Sequence, residues 1–233
     1  MEILQGNAYP GRGMMIGLTP DGTRALCAYF IMGRSDNSRN RIFVLENGIL
    51  RTQAFDESLV EDPSLIIYRA VLPVENWLIL ANGDQSETIL SGLAQGLDFK
   101  ASLDSRTFEP DAPHYTPRIS GLATRTDGHL SYTLSILKSA EGRGEGERRC
   151  FYDFKPALAG EGHFISTYAH DGSPLPSFSG EPRCVSTMDD LDAFTDALWQ
   201  SLNKDNRISL YTCTIDLATG VRTDRLRNRH LGD

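Results

Sequence analysis

The sequence predicts an α+β protein built of antiparallel sheets, and three observations carry that expectation. Short apolar runs recur in pairs about turn sequences, P-D-G at 20–22, E-N-G at 46–48 and P-V-E-N at 73–76, the pattern of successive β-hairpins. Apolar residues at helical spacing occupy only two longer stretches, 86–95 and 188–202. Strands and helices do not alternate as a parallel sheet requires, so the helices are expected on the outer faces of antiparallel sheets.

In chain order, strands are expected at 14–18 and 24–32, at 42–45 and 49–52, and at 65–72 and 77–81, each pair a hairpin. The turn N-G-D at 82–84 leads into the helix over 86–95, where Ile89, Leu90, Leu93 and Ala94, with Leu97 beyond, share one face. Gly96 ends it, and Asp98 caps a shorter helix running to about residue 105. Residues 107–118, rich in proline and acid, form a loop back to the sheet, followed by a hairpin of 119–125 with 130–137. Residues 141–149, E-G-R-G-E-G-E-R-R, read as a flexible charged connection. Strands follow at 150–154 and 163–168, then an irregular loop over 170–183.

Thr187 is expected to cap a helix from Met188 to about Leu202, with Asp189, Asp190 and Asp192 near the positive end of its dipole. Met188, Leu191, Phe194, Leu198 and Leu202 form its apolar stripe. A last hairpin joins 208–215 to 221–226. Arg222, Arg225, Arg227 and Arg229 make this end basic, as a solvated face or a subunit contact. No repeat or linker divides the chain, so residues 1–233 read as one domain.

With 40% hydrophobic and 23% charged residues in 233, the composition is that of a soluble globular protein with a substantial core. The formal charge of -8 argues against general affinity for nucleic acid or an anionic membrane, so any anion site must be a local basic patch. No apolar run approaches the roughly 20 residues that span a bilayer. The start of the chain lacks a basic region followed by an apolar core, which points to a cytoplasmic protein. Cys27, Cys150, Cys184 and Cys213 form no C-x-x-C pair and read as free thiols, and the histidines show no metal-binding spacing. No bound metal is expected.

The densest chemical signal is residues 29–43, Y-F-I-M-G-R-S-D-N-S-R-N-R-I-F. A strand-like run stops at Gly33 and opens into a loop holding Arg34, Ser35, Asn37, Arg39, Asn40 and Arg41. Such a set of donors on a rigid scaffold suits an anionic, heteroatom-rich ligand; a solvated polar loop is the alternative. N-A-Y-P-G-R-G at 7–13 puts Arg12 between glycines, either as an anion contact or in a tight turn. Asn82, Gly83 and Asp84 form a polar strand-to-helix corner that suits an anion or base edge, or merely caps the helix. Tyr68 lies in an apolar run and reads as core or as a catalytic hydroxyl. Glu109 lies in an irregular loop, nine residues ahead of Arg118, and becomes a base only if spatial neighbours make it one.

N-A-Y-P-G-R-G and the fifteen residues 29–43, followed in order by P-S-L-I-I-Y-R, L-A-N-G-D-Q-S-E-T-I and T-P-R-I, resemble the archaeal-type IMP cyclohydrolase family, in particular its bacterial members. The likeness covers nearly the whole first half and is weak in the second; Ala8 stands where bacterial relatives commonly have proline.

The resemblance implies a four-layer α-β-β-α sandwich of antiparallel sheets, like that of N-terminal nucleophile hydrolases but without a processed nucleophile. It implies ring closure of 5-formamidoimidazole-4-carboxamide ribonucleotide (FAICAR) to IMP in de novo purine synthesis, with no cofactor or metal. Matched motif by motif, its catalytic arginine, tyrosine and glutamate fall on Arg41, Tyr68 and Glu109. Arg12, Arg34, Ser35, Asn37 and Arg39 are candidates for the 5′-phosphate, Asn82, Gly83 and Asp84 for the base or ribose, and Asn40 and Arg118 are further substrate-binding candidates. The resemblance and the basic C-terminal strand point to a homo-oligomer. An amide hydrolase on the same fold and a non-catalytic purine-nucleotide binding protein are the other readings.

Overall fold

A computed structural model describes residues 2–60 and 67–232. Among the described residues thirteen strands form two sheets in which every paired neighbour is antiparallel. The first hairpin, β1 (Arg12–Leu18) and β2 (Arg24–Met32), forms the centre of the six-stranded sheet. On the β1 side lie β10 (Glu161–Ser166) and β11 (Arg183–Ser186); on the β2 side lie β12 (Arg207–Asp216) and β13 (Arg222–Asn228). The other sheet is a seven-stranded meander in sequence order: β3 (Ile42–Glu46), β4 (Ile49–Gln53), β5 (Arg69–Val74), β6 (Trp77–Ala81), β7 (Arg118–Thr126), β8 (His129–Ser139) and β9 (Glu147–Phe154).

The residues of β2 explain how the layers form. Successive side chains of a strand point to opposite faces. Ala25, Cys27, Tyr29 and Ile31 enter a core shared with Leu78, Leu80, Ile119 and Leu134 of the meander. Leu26, Ala28, Phe30 and Met32 pack on the other face with Leu191, Phe194 and Leu198 of α4 (Leu191–Ser201). Both faces are buried, so the run is apolar at every position instead of alternating. The outer face of the meander is covered by α2 (Gln85–Ala94) and α3 (Phe99–Ser102), where Ile89, Phe99 and Leu103 meet Leu72, Ile79 and Leu122. The class is therefore α+β, mostly antiparallel sheet with few helices. No helix among the described residues is long and apolar enough to cross a membrane.

Several elements differ from expectation for identifiable reasons. The polar loop after β2 contains one helical turn, α1 (Asp36–Arg39), closed by a capping box between Ser35 and Ser38. Tyr68 precedes β5 instead of lying within the strand, and the pairing of β4 with β5 shifts register between Leu50 and Arg51. Its backbone still brackets Thr52, accepting from Thr52 N at 3.0 Å and donating to Thr52 Oγ1 at 3.1 Å. Residues 65 and 66 of that expected strand lie outside the described residues.

The charged stretch 141–149 is not all connection: Glu147, Arg148 and Arg149 pair with Ser139, Lys138 and Leu137 as the start of β9. An edge strand tolerates such charge, and charge there discourages pairing with another chain. Asp190, and not Thr187, caps α4, accepting from the backbone of Asp192 at 2.8 Å and Ala193 at 3.0 Å. Thr187 instead donates to Leu18 O at 2.7 Å, which leaves Met188 outside the helix. The basic β13 finds its counter-charges within the chain: Arg225 pairs with Asp192 and Arg227 with Asp196, both on α4.

Candidate active site

A cleft of about 640 Å³ opens where the start of β1, the end of β2, the β6–α2 corner and the loop before β7 converge. Arg12 enters it because Gly11 turns the chain with φ +79, and a Cβ at that glycine would sit 2.3 Å from Thr167 Oγ1. Gly11 O accepts from Met32 N at 2.9 Å, so the start of β1 is tied to the end of β2. Arg41, 2% exposed, reaches the same end of β2 from beyond α1. Its Nη2 donates to Met32 O at 3.0 Å and its Nε to Ser38 O at 2.9 Å.

Arg12 Nε is buried with no hydrogen-bond partner, and among the described residues neither Arg12 nor Arg41 forms an ion pair. Burial, followed by the neighbouring Arg12, holds the Arg41 guanidinium below its ordinary pKa. Two adjacent cations, Arg41 buried and Arg12 half-buried, with no carboxylate paired to either, are electrostatically incomplete, and an anion in the cleft would complete them.

Across the cleft, Glu109 pairs with Arg118, its Oε1 and Oε2 each 3.0 Å from a guanidinium nitrogen. The loop is closed behind Glu109: its N–H donates to Thr116 O at 2.9 Å, and Asp111 accepts from Thr116 N at 2.6 Å. Thr116 Oγ1 lies 2.6 Å from the hydroxyl of Tyr168, which anchors the loop on the other sheet. Burial raises the pKa of the Glu109 carboxyl, with Asp111 and Asp84 adding to the rise while Arg118 and Arg12 oppose it. Asp84 behaves oppositely: burial works against its ionisation, but Arg118 and Arg106 outweigh it and hold the carboxyl below the usual range.

The β6–α2 corner is fixed through Asn82, whose Oδ1 accepts from Ile119 N at 2.9 Å and Gln85 Nε2 at 2.8 Å and whose Nδ2 donates to Pro117 O at 2.9 Å. A side chain at Gly83 would begin 2.7 Å from Gln85 Oε1 and 2.9 Å from Arg118 Nη1, so the Arg118 pairing needs glycine there. Tyr68, almost fully buried, presents its hydroxyl 2.8 Å from that of Tyr29.

Of the sequence candidates, Arg12, Ser35, Asn37, Arg41, Tyr68, Asn82, Gly83, Asp84, Glu109 and Arg118 line this one cleft. Arg34, Arg39 and Asn40 do not line it. Arg34 turns outward to Asp171 and to Gly172 O at 2.9 Å. Arg39 binds Gly33 O and Asn206 Oδ1, and Asn40 clasps the backbone of Asp56 with both ends of its amide. Arg118 lines the cleft, but its guanidinium is committed to Asp84, Gln85 and Glu109. Ser38, Asp111 and Thr116 were missed; within polar loops nothing in their sequence sets them apart.

Among the described residues no three His, Cys, Asp or Glu side chains converge as a metal site. A second cavity of about 290 Å³, at the opposite end of the sheets beside Trp77, Leu130 and Leu217, is mostly apolar. Its cations Arg125 and Arg222 are engaged with Asn76 and Asp224.

An antiparallel two-sheet scaffold thus gathers two guanidiniums without a paired carboxylate, a tyrosine hydroxyl and a glutamate in one cleft. Residues 9–220 match the model of the IMP cyclohydrolase-like protein family, and the chain belongs to that family. The IMP cyclohydrolase of Methanopyrus kandleri is 32% identical over 163 residues, which cover 69% of this chain and 75% of the relative.

Proposed function

We propose that the chain is an IMP cyclohydrolase that closes FAICAR to IMP with loss of water, as a single domain with the four-layer α-β-β-α sandwich of N-terminal nucleophile hydrolases. The observation that carries this reading is the pair of guanidiniums without a carboxylate, Arg12 and Arg41, in one cleft with Tyr68 and a carboxyl of raised pKa, Glu109. A carboxamide nitrogen is a weak nucleophile. Glu109 takes one of its protons as it attacks the formyl carbon, and Arg41 stabilises the negative charge developing on the former formyl oxygen. That oxygen is then protonated at Glu109's expense. Tyr68 gives its proton to the departing hydroxyl, and the ring nitrogen that forms the C=N bond releases the balancing proton. Attack within one molecule leaves positioning to supply much of the remaining rate. Arg12, Ser35 and Asn37 are our assignment for the 5′-phosphate, and Asn82, Gly83 and Asp84 border the base and ribose. The reaction requires no cofactor in this scheme.

Incubating the purified protein with FAICAR and no added metal, and following IMP by chromatography, tests the reading. Multiple turnovers are expected; tight IMP binding without turnover would make the protein a nucleotide-binding protein instead. The raised pKa of Glu109 carries a signed consequence. A base must be ionised, so the acid limb of kcat/KM should lie above the ordinary glutamate value of 4.5. Arg118 favours the ionised form, so Arg118→Gln should move that limb to still higher pH. An unmoved limb in the pH–rate profile would remove Glu109 from the role of base.

A further inference from the structure

Tyr29 is a fully buried residue of β2, and its ring stacks on Phe43 with centroids 5.5 Å apart. Among the described residues its hydroxyl has one hydrogen-bond partner, the Tyr68 hydroxyl, 2.8 Å away. Tyr29 belongs to the six-stranded sheet and Tyr68 stands just ahead of β5 of the meander, so the bond crosses the shared core and ends on a group that lines the cleft. Each hydroxyl can donate only one proton. If Tyr68 donated to Tyr29, its proton would point away from the cleft. The opposite polarity leaves the Tyr68 proton free to enter it.

We propose that Tyr29 is a positioning residue for ring closure: its O–H donates to the Tyr68 oxygen, aims the Tyr68 proton at the departing hydroxyl and holds the phenolate that results. This role rests on the reaction proposed above. In that step the Tyr68 O–H bond breaks as the carbon–hydroxyl bond breaks, and water leaves. The electron pair stays on the Tyr68 oxygen until the proton shed by the ring nitrogen restores it. Burial, with Tyr68 beside it, keeps the Tyr29 hydroxyl protonated far above the usual tyrosine range, so Tyr29 remains a donor throughout.

The test is a double-mutant cycle on kcat with Tyr29→Phe, Tyr68→Phe and the double variant, each checked for an intact melting transition. Tyr29→Phe should lower kcat by about 10- to 100-fold, the worth of a hydrogen bond to a charged group, with KM nearly unchanged. The double variant should be no slower than Tyr68→Phe alone, because Tyr29 acts only through Tyr68. Additive losses, or an unchanged kcat in Tyr29→Phe, would overturn the proposal, since a merely structural tyrosine would slow the enzyme equally with or without Tyr68. Absence of turnover in the unaltered protein would overturn the ring-closure reading and this role with it.

Discussion

Glu109→Gln is expected to lower kcat for ring closure by about 10²–10⁴, the usual worth of a positioned acid–base group, with KM and the melting temperature close to those of the unaltered protein. The substitution preserves shape and keeps one oxygen to accept from Arg118. It removes the group that takes the carboxamide proton. Arg118 does not become an isolated charge, because Asp84 remains 2.8 Å from it. The β6–α2 corner should therefore hold, and the loss should appear in kcat. Steady-state kinetics beside a thermal melt separate the two effects. A folded Glu109→Gln protein of near-normal activity would show that another group accepts the proton.

Arg41→Lys should lower kcat by about 10²–10³, the range seen on removing one donor that stabilises a developing oxyanion. The charge survives this change, so the experiment asks about geometry. The guanidinium spends Nε on Ser38 O and Nη2 on Met32 O, and its remaining N–H groups are held in a fixed plane towards the cleft. A lysine ammonium is a single point on a flexible stem and cannot hold both carbonyls while reaching the reacting oxygen. IMP affinity should fall much less than kcat if Arg41 acts mainly in the transition state. Equal losses in both would assign Arg41 to ground-state binding.

Much of this was legible in the sequence, for reasons that particular residues make plain. The turns at 20–22 and 46–48 marked hairpins because their glycines adopt positive φ, +71 at Gly22 and +77 at Gly48. The stripe of α4 was visible because only one of its faces meets the sheet, whereas its first turn was misplaced because several residues ahead of it were suitable caps. Local pattern alone did not separate the three arginines in residues 34–41; the family resemblance singled out Arg41. Only the helical turn α1, and partners far along the chain at Asp171 and Asn206, turn Arg34 and Arg39 away and leave Arg41 at the cleft.

Tyr29 was invisible as a site residue for the opposite reason: a strand buried on both faces gives a tyrosine no polar context to distinguish it from core. Glu109 and Arg118 were linked in the sequence only by their nine-residue spacing, which does not reveal that their side chains pair. The burial that raises the Glu109 carboxyl comes from residues folded over the pair, beyond the reach of local pattern.

The most direct measurement of the central claim is a crystal structure of the protein with IMP. The nucleotide should lie in the cleft between Arg41 and Glu109, with its C2 atom, the former formyl carbon, beside the Arg41 guanidinium and the Tyr68 hydroxyl, and its phosphate against Arg12. IMP seated elsewhere, with Arg12 and Arg41 still lacking an anionic or polar ligand, would contradict that claim.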